Sequence, residues 1–326
     1  MRWRLAAVAV TLALTAAACG TTTGAVTDRQ EPTGGAPSPA GAKEVTELPA
    51  ANRDDSCDPT ASLRPAGPPP APRAFPGGST MAAIVARGKL VVGVDQNTLQ
   101  FGFRDPRTGN INGFDVDMAR EIAAALFGDR NAIQLRVLTS SQRIPALKAG
   151  DVDIVVQTMT INCERLKDVD FSSVYYLADQ QILVRADSGY TGVDSLAGKK
   201  VCASEGSTSL AKIVNQDVEP KLIGMQVAGW TDCLVMLQQN QVDAVSTDNT
   251  ILAGLAAQDP TTKVLPGSLG QEPYGMAMPK GQDDFVRFVN SVLERMRGDG
   301  TWTRLYDQWV AGLLGTGTQP VPRYRD

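Results

Sequence analysis

The 326-residue chain contains no histidine. That removes the commonest general base, proton shuttle and imidazole metal ligand at once, so catalytic and metal-dependent readings start without their usual residue. A C-x-x-C pair is also missing, which argues against thiol redox catalysis and a zinc site. With a net charge of −4 there is no basic surplus of the kind nucleic-acid binding requires. The N-terminal run from Leu5 to Ala18 is weakly polar to apolar but falls short of the ~20 residues a membrane-spanning helix needs. No such run follows residue 312. What remains is 43% hydrophobic and 20% charged, the balance of an ordinary globular protein with room for about two domains.

Arg2 and Arg4 precede that N-terminal run, and Ala16-Ala17-Ala18 close it directly before Cys19. Residues 1–18 read as a secretory signal. The small residues before Cys19 resemble the lipobox of bacterial lipoproteins, whose cysteine is lipidated and heads the mature chain; Ala16 stands where that pattern more often has Leu. The resemblance implies a protein anchored on the extracytoplasmic face of the cell membrane. Residues 19–79 are Thr-, Gly- and Pro-rich, with Pro68-Pro69-Pro70 at the centre. Such a composition predicts an extended tether, its distal half ordered if Cys57 is bonded.

The most informative feature present is a repeat. Ala146-Leu-Lys-Ala-Gly-Asp-Val-Asp-Ile-Val-Val-Gln-Thr158 and Met236-Leu-Gln-Gln-Asn-Gln-Val-Asp-Ala-Val-Ser-Thr-Asp248 share one pattern. Each is a helix end, a tight turn, Val-Asp, a short apolar strand, and polar residues where the strand stops. This is the crossover of a parallel α/β unit. Gly88-Lys-Leu-Val-Val-Gly-Val-Asp95 and Gly198-Lys-Lys-Val-Cys-Ala-Ser-Glu205 correspond as well, so a second α/β lobe repeats the first from its opening strand. Ligands of open α/β sheets lie beyond the carboxyl ends of the strands, so Thr158 and Asp248 should face each other across a cleft.

Around the repeat, strand and helix signals alternate. In the first lobe they are helix 81–86, strands 90–94 and 101–103, helix 115–127, strand 134–138, helix 144–149 and strand 154–156. The second lobe has strand 201–204, helix 207–215, strand 225–227, helix 232–239 and strand 244–246. Residues 174–185 and 272–278 read as two crossings between the lobes, and helices 283–297 and 302–309 should pack back on the first. The boundaries drawn are 80–177 with 275–314 for lobe 1, 178–274 for lobe 2, and 315–326 for a C-terminal tail. Five cysteines are present. If Cys19 carries lipid, Cys57, Cys163, Cys202 and Cys233 remain, and they can pair in three ways. An oxidising compartment favours pairing. The repeat places Cys202 and Cys233 in one lobe, which favours Cys202–Cys233 and leaves Cys57–Cys163.

Five ordered motifs carry a family resemblance over residues 80–312. They are Gly113-Phe-Asp-Val-Asp-Met-Ala-Arg-Glu-Ile-Ala-Ala-Ala-Leu126, Thr158-Met-Thr-Ile-Asn-Cys-Glu-Arg165 with Val169-Asp-Phe-Ser172, Glu205-Gly-Ser-Thr-Ser209, Val242 to Asp248, and Glu272-Pro-Tyr-Gly275. Together they resemble the bacterial extracellular solute-binding proteins that take polar amino acids, family 3. The resemblance implies a two-lobed periplasmic-binding-protein-like α/β fold, with two Rossmann-like lobes joined by a two-stranded hinge. Residues 20–79 lie outside it.

Chemistry agrees with the motifs residue by residue. A free amino acid is a zwitterion, so its site must offer a cation fork and an anion. Arg165 is the fork, since a guanidinium pairs a carboxylate through two parallel hydrogen bonds. Asp248 is the anion for the α-ammonium; its ordinary alternative is a helix N-cap before Ile251. Ser207 and Thr208 sit between a strand and a helix, where backbone N–H groups are free for a carboxylate. Thr158 and Thr160 add polar groups at the first strand end, Thr158 where many relatives carry a small residue such as Gly. The stretches that commonly supply aromatics in the family hold none before Phe101, which implies a polar pocket. Arg143 matches an arginine that similar acidic amino-acid binders use for the side-chain carboxylate, and Ser140 and Gln96 are placed to assist.

The resulting expectation is a monomeric, lipid-anchored binding protein without cofactor or metal. It would deliver glutamate or aspartate, with asparagine and glutamine next, to ABC permease subunits. A receptor that senses amino acids for a membrane signalling partner is the first alternative. The second is a dehydratase-like enzyme on the same fold, for which Glu205 is the one obvious acid in reach.

Overall fold

The computed structural model describes residues 37–48 and 57–326. The signal sequence expected at 1–18 and the lipidation site expected at Cys19 lie outside the described residues. Two sheets organise the rest. In the first, Leu90–Val94 lies between Ile133–Val137 and Ile154–Val155 and is parallel to both, with Val92 opposite Leu135 and Ile154. In the second, Lys200–Ser204 lies between Ile223–Val227 and Ala244–Asp248, again parallel, with Val201 opposite Gly224 and Ala244. Each lobe thus has the same local strand order, its opening strand in the centre and the repeat's strand beside it. The repeated motif is a repeated topology.

Each lobe's core follows from its apolar periodicity. Helix Phe114–Phe127 carries Val116, Ala119, Ile122, Ala123 and Leu126 on one face, all buried against the first sheet. Helices Asp283–Gly298 and Thr301–Trp309 return to this core with Phe285, Val289 and Trp302. The Trp302 indole donates to the Tyr175 carbonyl at 2.8 Å, so its one polar group is paired inside the core. Side chains of this size each contribute roughly 1.5–3 kcal/mol when fully buried. In the second lobe, Leu210, Trp230, Leu234, Leu237, Ile251 and Leu255 close over the sheet. Cys202 and Cys233 are bonded there, tying the opening strand to helix Trp230–Gln238.

Two strands cross between the lobes. Tyr176–Arg185 runs antiparallel to Gln271–Tyr274, with Tyr176 opposite Tyr274. A crossing made of two hydrogen-bonded strands can flex at a few φ/ψ angles while both lobes stay intact, which is the requirement for hinge closure.

Composition reads residues 19–79 as a tether whose distal half is ordered if Cys57 is bonded, and in the described part of that stretch short segments pair with the body of the protein. Lys43–Val45 adds an antiparallel strand to the second sheet along Ile223–Val227, and Glu44 pairs with Lys200 at 2.5 Å. The exposed edge of a sheet offers a row of unpaired N–H and C=O groups, enough to order even a polar three-residue segment. Cys57 is bonded to Cys163 of the first lobe. Ala61–Ser62 then pairs in parallel with Arg323–Tyr324 near the C-terminus, and Ser62 and Leu63 both accept from the Asn290 amide. Among the described residues no helix is long and apolar enough to cross a membrane, and no cluster of His, Cys, Asp or Glu is arranged to hold a metal ion.

Candidate functional site

The first strand end of the repeat is built around Thr158. Its φ is +40°, a region a β-branched residue enters only under strain. The Asp115 carboxylate holds it there, accepting the Thr158 N–H at 2.8 Å while its other oxygen accepts the Tyr175 hydroxyl at 2.7 Å. Burial pushes the Asp115 carboxyl up to about 7, against the pull of the Tyr175 hydrogen bond. Asp115 therefore shapes the backbone from the helix behind the cleft.

Two residues after Thr158, Thr160 turns the chain towards helix Cys163–Asp168. Asn162 caps that helix by accepting the Arg165 N–H. The cap sets Arg165 in the first turn with its side chain buried in the cleft. Its Nη1 donates to the Thr160 carbonyl at 2.6 Å, and its Nη2 to the Gly206 carbonyl of the second lobe at 3.1 Å. Burial lowers its pKa, with Glu272 and Asp248 opposing that shift. Gly206 has φ +73°, and a Cβ there would lie 2.8 Å from Ser141 Cα. Glycine is required for the two lobes to meet at this point.

Asp248 ends the matching strand of the second lobe. It occupies the N-cap position of helix Asn249–Gln258, yet its side chain makes no capping hydrogen bond. Its carboxylate turns into the cleft instead. Oδ2 accepts the Tyr274 hydroxyl at 2.5 Å, and the Tyr274 hydroxyl oxygen also contacts Thr250 Oγ1 at 2.8 Å. Oδ1 is buried with no partner among the described residues. Burial first, and the charge of Glu272 second, push this carboxyl up to about 8. An acceptor of this kind is costly to leave unpaired and favours an incoming donor.

Arg165 and Asp248 line one cleft together with Arg143, Ser140, Thr158 and Thr160. Ser207 and Thr208 border it as well. The fully buried Arg143 guanidinium donates from Nε to the Ser140 carbonyl and from Nη1 to the Gln157 carbonyl, each at 3.0 Å. Burial and the like charge of Arg165 lower its pKa to about 9. The side chains of Ser207 and Thr208 are committed to building the loop. Ser207 Oγ caps helix Thr208–Val214 by accepting the Leu210 N–H, and the Ser207 N–H turns back to Ser204. Thr208 Oγ1 donates to the buried Glu272, whose other oxygen is paired with Lys212 at 2.5 Å.

A second cavity of about 100 Å³ adjoins the first, sharing Ser140 and Trp230 and extending past Asp95, Gln96 and Gln157. Gln96 lies here, away from Arg165 and Asp248, and its Oε1 accepts from Arg104. Four contributors escaped the sequence reading: Trp230, Tyr274, Gln157 and Asp95. Trp230 supplies an aromatic wall, but from the second lobe, at a helix start two residues before the one periodicity suggested. The only sequence signal for Gln157 was its place at a strand end next to Thr158. Phe101, the first aromatic after the opening strand, is in the core against Phe114 and Tyr176. Glu205, the one acid considered for catalysis, is exposed and contacted by Gln226.

Comparison with known proteins bears on this geometry. The family model described as bacterial extracellular solute-binding proteins, family 3, matches residues 90–312. The chain is similar to the ABC transporter glutamine-binding protein GlnH of Bacillus subtilis (strain 168), 39% identical over 71% of this chain and 84% of the relative. It is also similar to the glutamate-binding protein GluB of Corynebacterium glutamicum, at 32% identity over 70% of this chain and 81% of the relative. Among solved structures, holo ArgBP from T. maritima superposes with a TM-score of 0.63 at 33% identity, covering 70% of this chain and 98% of that one.

Proposed function

The chain belongs to the bacterial extracellular solute-binding proteins of family 3, and from that premise we propose that it captures one free polar amino acid between its lobes. The observation that carries this reading is the pairing of Arg165 and Asp248 in a single cleft. One is a cation fork from the first lobe and the other an anion from the second. Asp248 stands where an aspartate would ordinarily cap a helix, yet it leaves a buried oxygen free instead. An α-carboxylate pairs with Arg165 and the N-terminal turn at Thr208, and an α-ammonium with Asp248. Neither lobe can satisfy both ends of a zwitterion, so binding and closure are coupled.

The ligand side chain extends towards Arg143 and the adjoining cavity, which suits glutamate, aspartate, glutamine or asparagine. The lobes are residues 80–177 with 275–314, and 178–274. The protein is lipidated at Cys19, held at the extracytoplasmic face of the membrane, and delivers its ligand to an ABC permease. The names of GlnH and GluB support this class of ligand. Isothermal titration of ligand-stripped protein with the twenty amino acids tests the reading. Micromolar or tighter binding of a polar amino acid is expected, and no binding of any of the twenty would overturn it.

A further inference from the structure

Among the residues lining the two cavities, two buried side-chain oxygens lack partners within the described residues: Asp248 Oδ1 and Gln157 Oε1. The first belongs with the α-ammonium. The second touches neither charged end of the zwitterion's site. Gln157 is only 3% exposed, and its orientation is not arbitrary. Its Nε2 donates to the Leu138 carbonyl at 2.8 Å, so turning the amide over would set two acceptors against each other. Oε1 is thereby fixed as a buried acceptor, on a residue that lines the second cavity. The backbone carbonyl of the same residue holds Arg143 Nη1 at 3.0 Å. One residue thus carries a fixed acceptor and positions a fixed donor.

A guanidinium has donors only, whereas a carboxamide ligand has an acceptor oxygen and a donor nitrogen. A carboxylate ligand has acceptors only. Rested on the amino-acid reading above, the geometry points to Gln157 as the residue that selects a side-chain carboxamide over a carboxylate. Arg143 donates to the amide oxygen and Gln157 Oε1 accepts the amide N–H. The preferred ligands are then glutamine or asparagine, where Arg143 alone suggested glutamate or aspartate. An acid at this place sets its lone pairs against Gln157 Oε1 and leaves that buried acceptor unpaired. Charge works in the same direction. The Asp95 carboxyl on the wall of the second cavity is a further negative group near this place, and its oxygens are held by the Gln96 and Asn97 N–H groups and the Thr98 hydroxyl.

Isothermal titration of the ligand-stripped protein with glutamine, glutamate, asparagine and aspartate tests the assignment, beside the variants Gln157→Met and Gln157→Lys. Wild type should bind the better amide on the order of 100-fold more tightly than the matching acid, as a site built for one hydrogen-bonding group discriminates against its analogue. Gln157→Met keeps the length and removes the acceptor; it should weaken amide binding about 10-fold or more and tighten acid binding, so that the amide-to-acid ratio collapses. Gln157→Lys replaces the acceptor with a donor and should turn the preference towards the acid. Equal or tighter binding of the acid by wild type overturns the proposal without any variant. An unchanged amide-to-acid ratio in a Gln157→Met protein of wild-type melting temperature also overturns it. Failure of wild type to bind any of the twenty amino acids is a different outcome, which removes the binding reading itself.

Discussion

Replacing Asp248 by Asn separates two effects that a purely structural residue would keep together. Asp248 is 4% exposed, and its carboxyl is pushed from the ordinary 3.8 to about 8, chiefly by burial. The sign of the stability effect follows from linkage. Below about pH 4 the group is protonated in both folded and unfolded chains and contributes nothing. Between about pH 4 and 8 the unfolded chain ionises while the folded one keeps its proton, so stability falls as pH rises. At pH 7 this destabilisation amounts to about 4 kcal/mol at most, from roughly three pKa units at 1.36 kcal/mol each. Asn keeps the shape and can still accept the Tyr274 hydroxyl, but it has no ionisation to suppress. Ligand-free Asp248→Asn should therefore be more stable than wild type at pH 7, by about 1–4 kcal/mol in denaturant titrations, and no more stable at pH 4. Ligand binding should move the other way. Removing one partner of a buried ion pair costs about 3–5 kcal/mol, on the order of a 100- to 1000-fold or greater loss of affinity. Because burial holds the empty site's carboxyl towards its protonated form, wild type should also release protons on binding ligand, read by calorimetry in buffers of different ionisation heat. An Asp248→Asn protein with affinity within 3-fold of wild type would refute the assignment of the anion, whatever its stability.

Three further outcomes follow from the geometry. Thr158→Gly removes a β-branched residue from φ +40°; relief of about 1–3 kcal/mol of strain against about 0.5–1 kcal/mol of added chain entropy should leave the variant equal or more stable in urea, and a loss above 1 kcal/mol would contradict the strain argument. Gly254 faces Leu99 across the lobes, where a new Cβ would lie 3.1 Å from Leu99 Cβ. Gly254→Val should hinder closure, seen as a larger radius of gyration with ligand in small-angle scattering and at least 10-fold weaker binding at nearly unchanged ligand-free stability; closure indistinguishable from wild type would sink that reading. The Cys57–Cys163 bond closes a separation of 106 residues and anchors the first residue of the helix that carries Arg165. The paired Cys57→Ser and Cys163→Ser protein should lose about 2–5 kcal/mol of stability and bind more weakly; unchanged affinity would show that the bond does not support the Arg165 turn.

Much of the fold was legible because its signals are local. Buried strands such as Leu90–Val94 and Lys200–Ser204 are short apolar runs, and helix Phe114–Phe127 shows its buried face in its spacing. The strand Lys43–Val45 was not legible, since nothing in three mostly exposed residues signals pairing; it forms because the Ile223–Val227 edge is there to be paired. Apolar spacing starts helix Trp230–Gln238 at Asp232, but the helix begins two residues earlier and so brings Trp230 into the cleft it lines. Gln96 was placed by its position after the opening strand, but Arg104 takes its carbonyl oxygen, a contact the spacing did not reveal.

Sequence alone determined the repeat, the two crossings, and the presence of Arg165 and Asp248 at or just after corresponding strand ends. Those features depend on hydrophobic period and residue type, which a chain carries before it folds. Which atoms of those residues remain free was decided only in three dimensions. Asp248 could have capped its helix, and Tyr274 from the hinge strand turns one of its oxygens into the cleft wall while the other stays open. Gln157 became a fixed acceptor only when Leu138, nineteen residues away, claimed its amide nitrogen. Hydrogen-bond commitments of this kind join partners far apart in sequence, and a buried polar atom has a definite chemical role only after every competing partner near it has been placed.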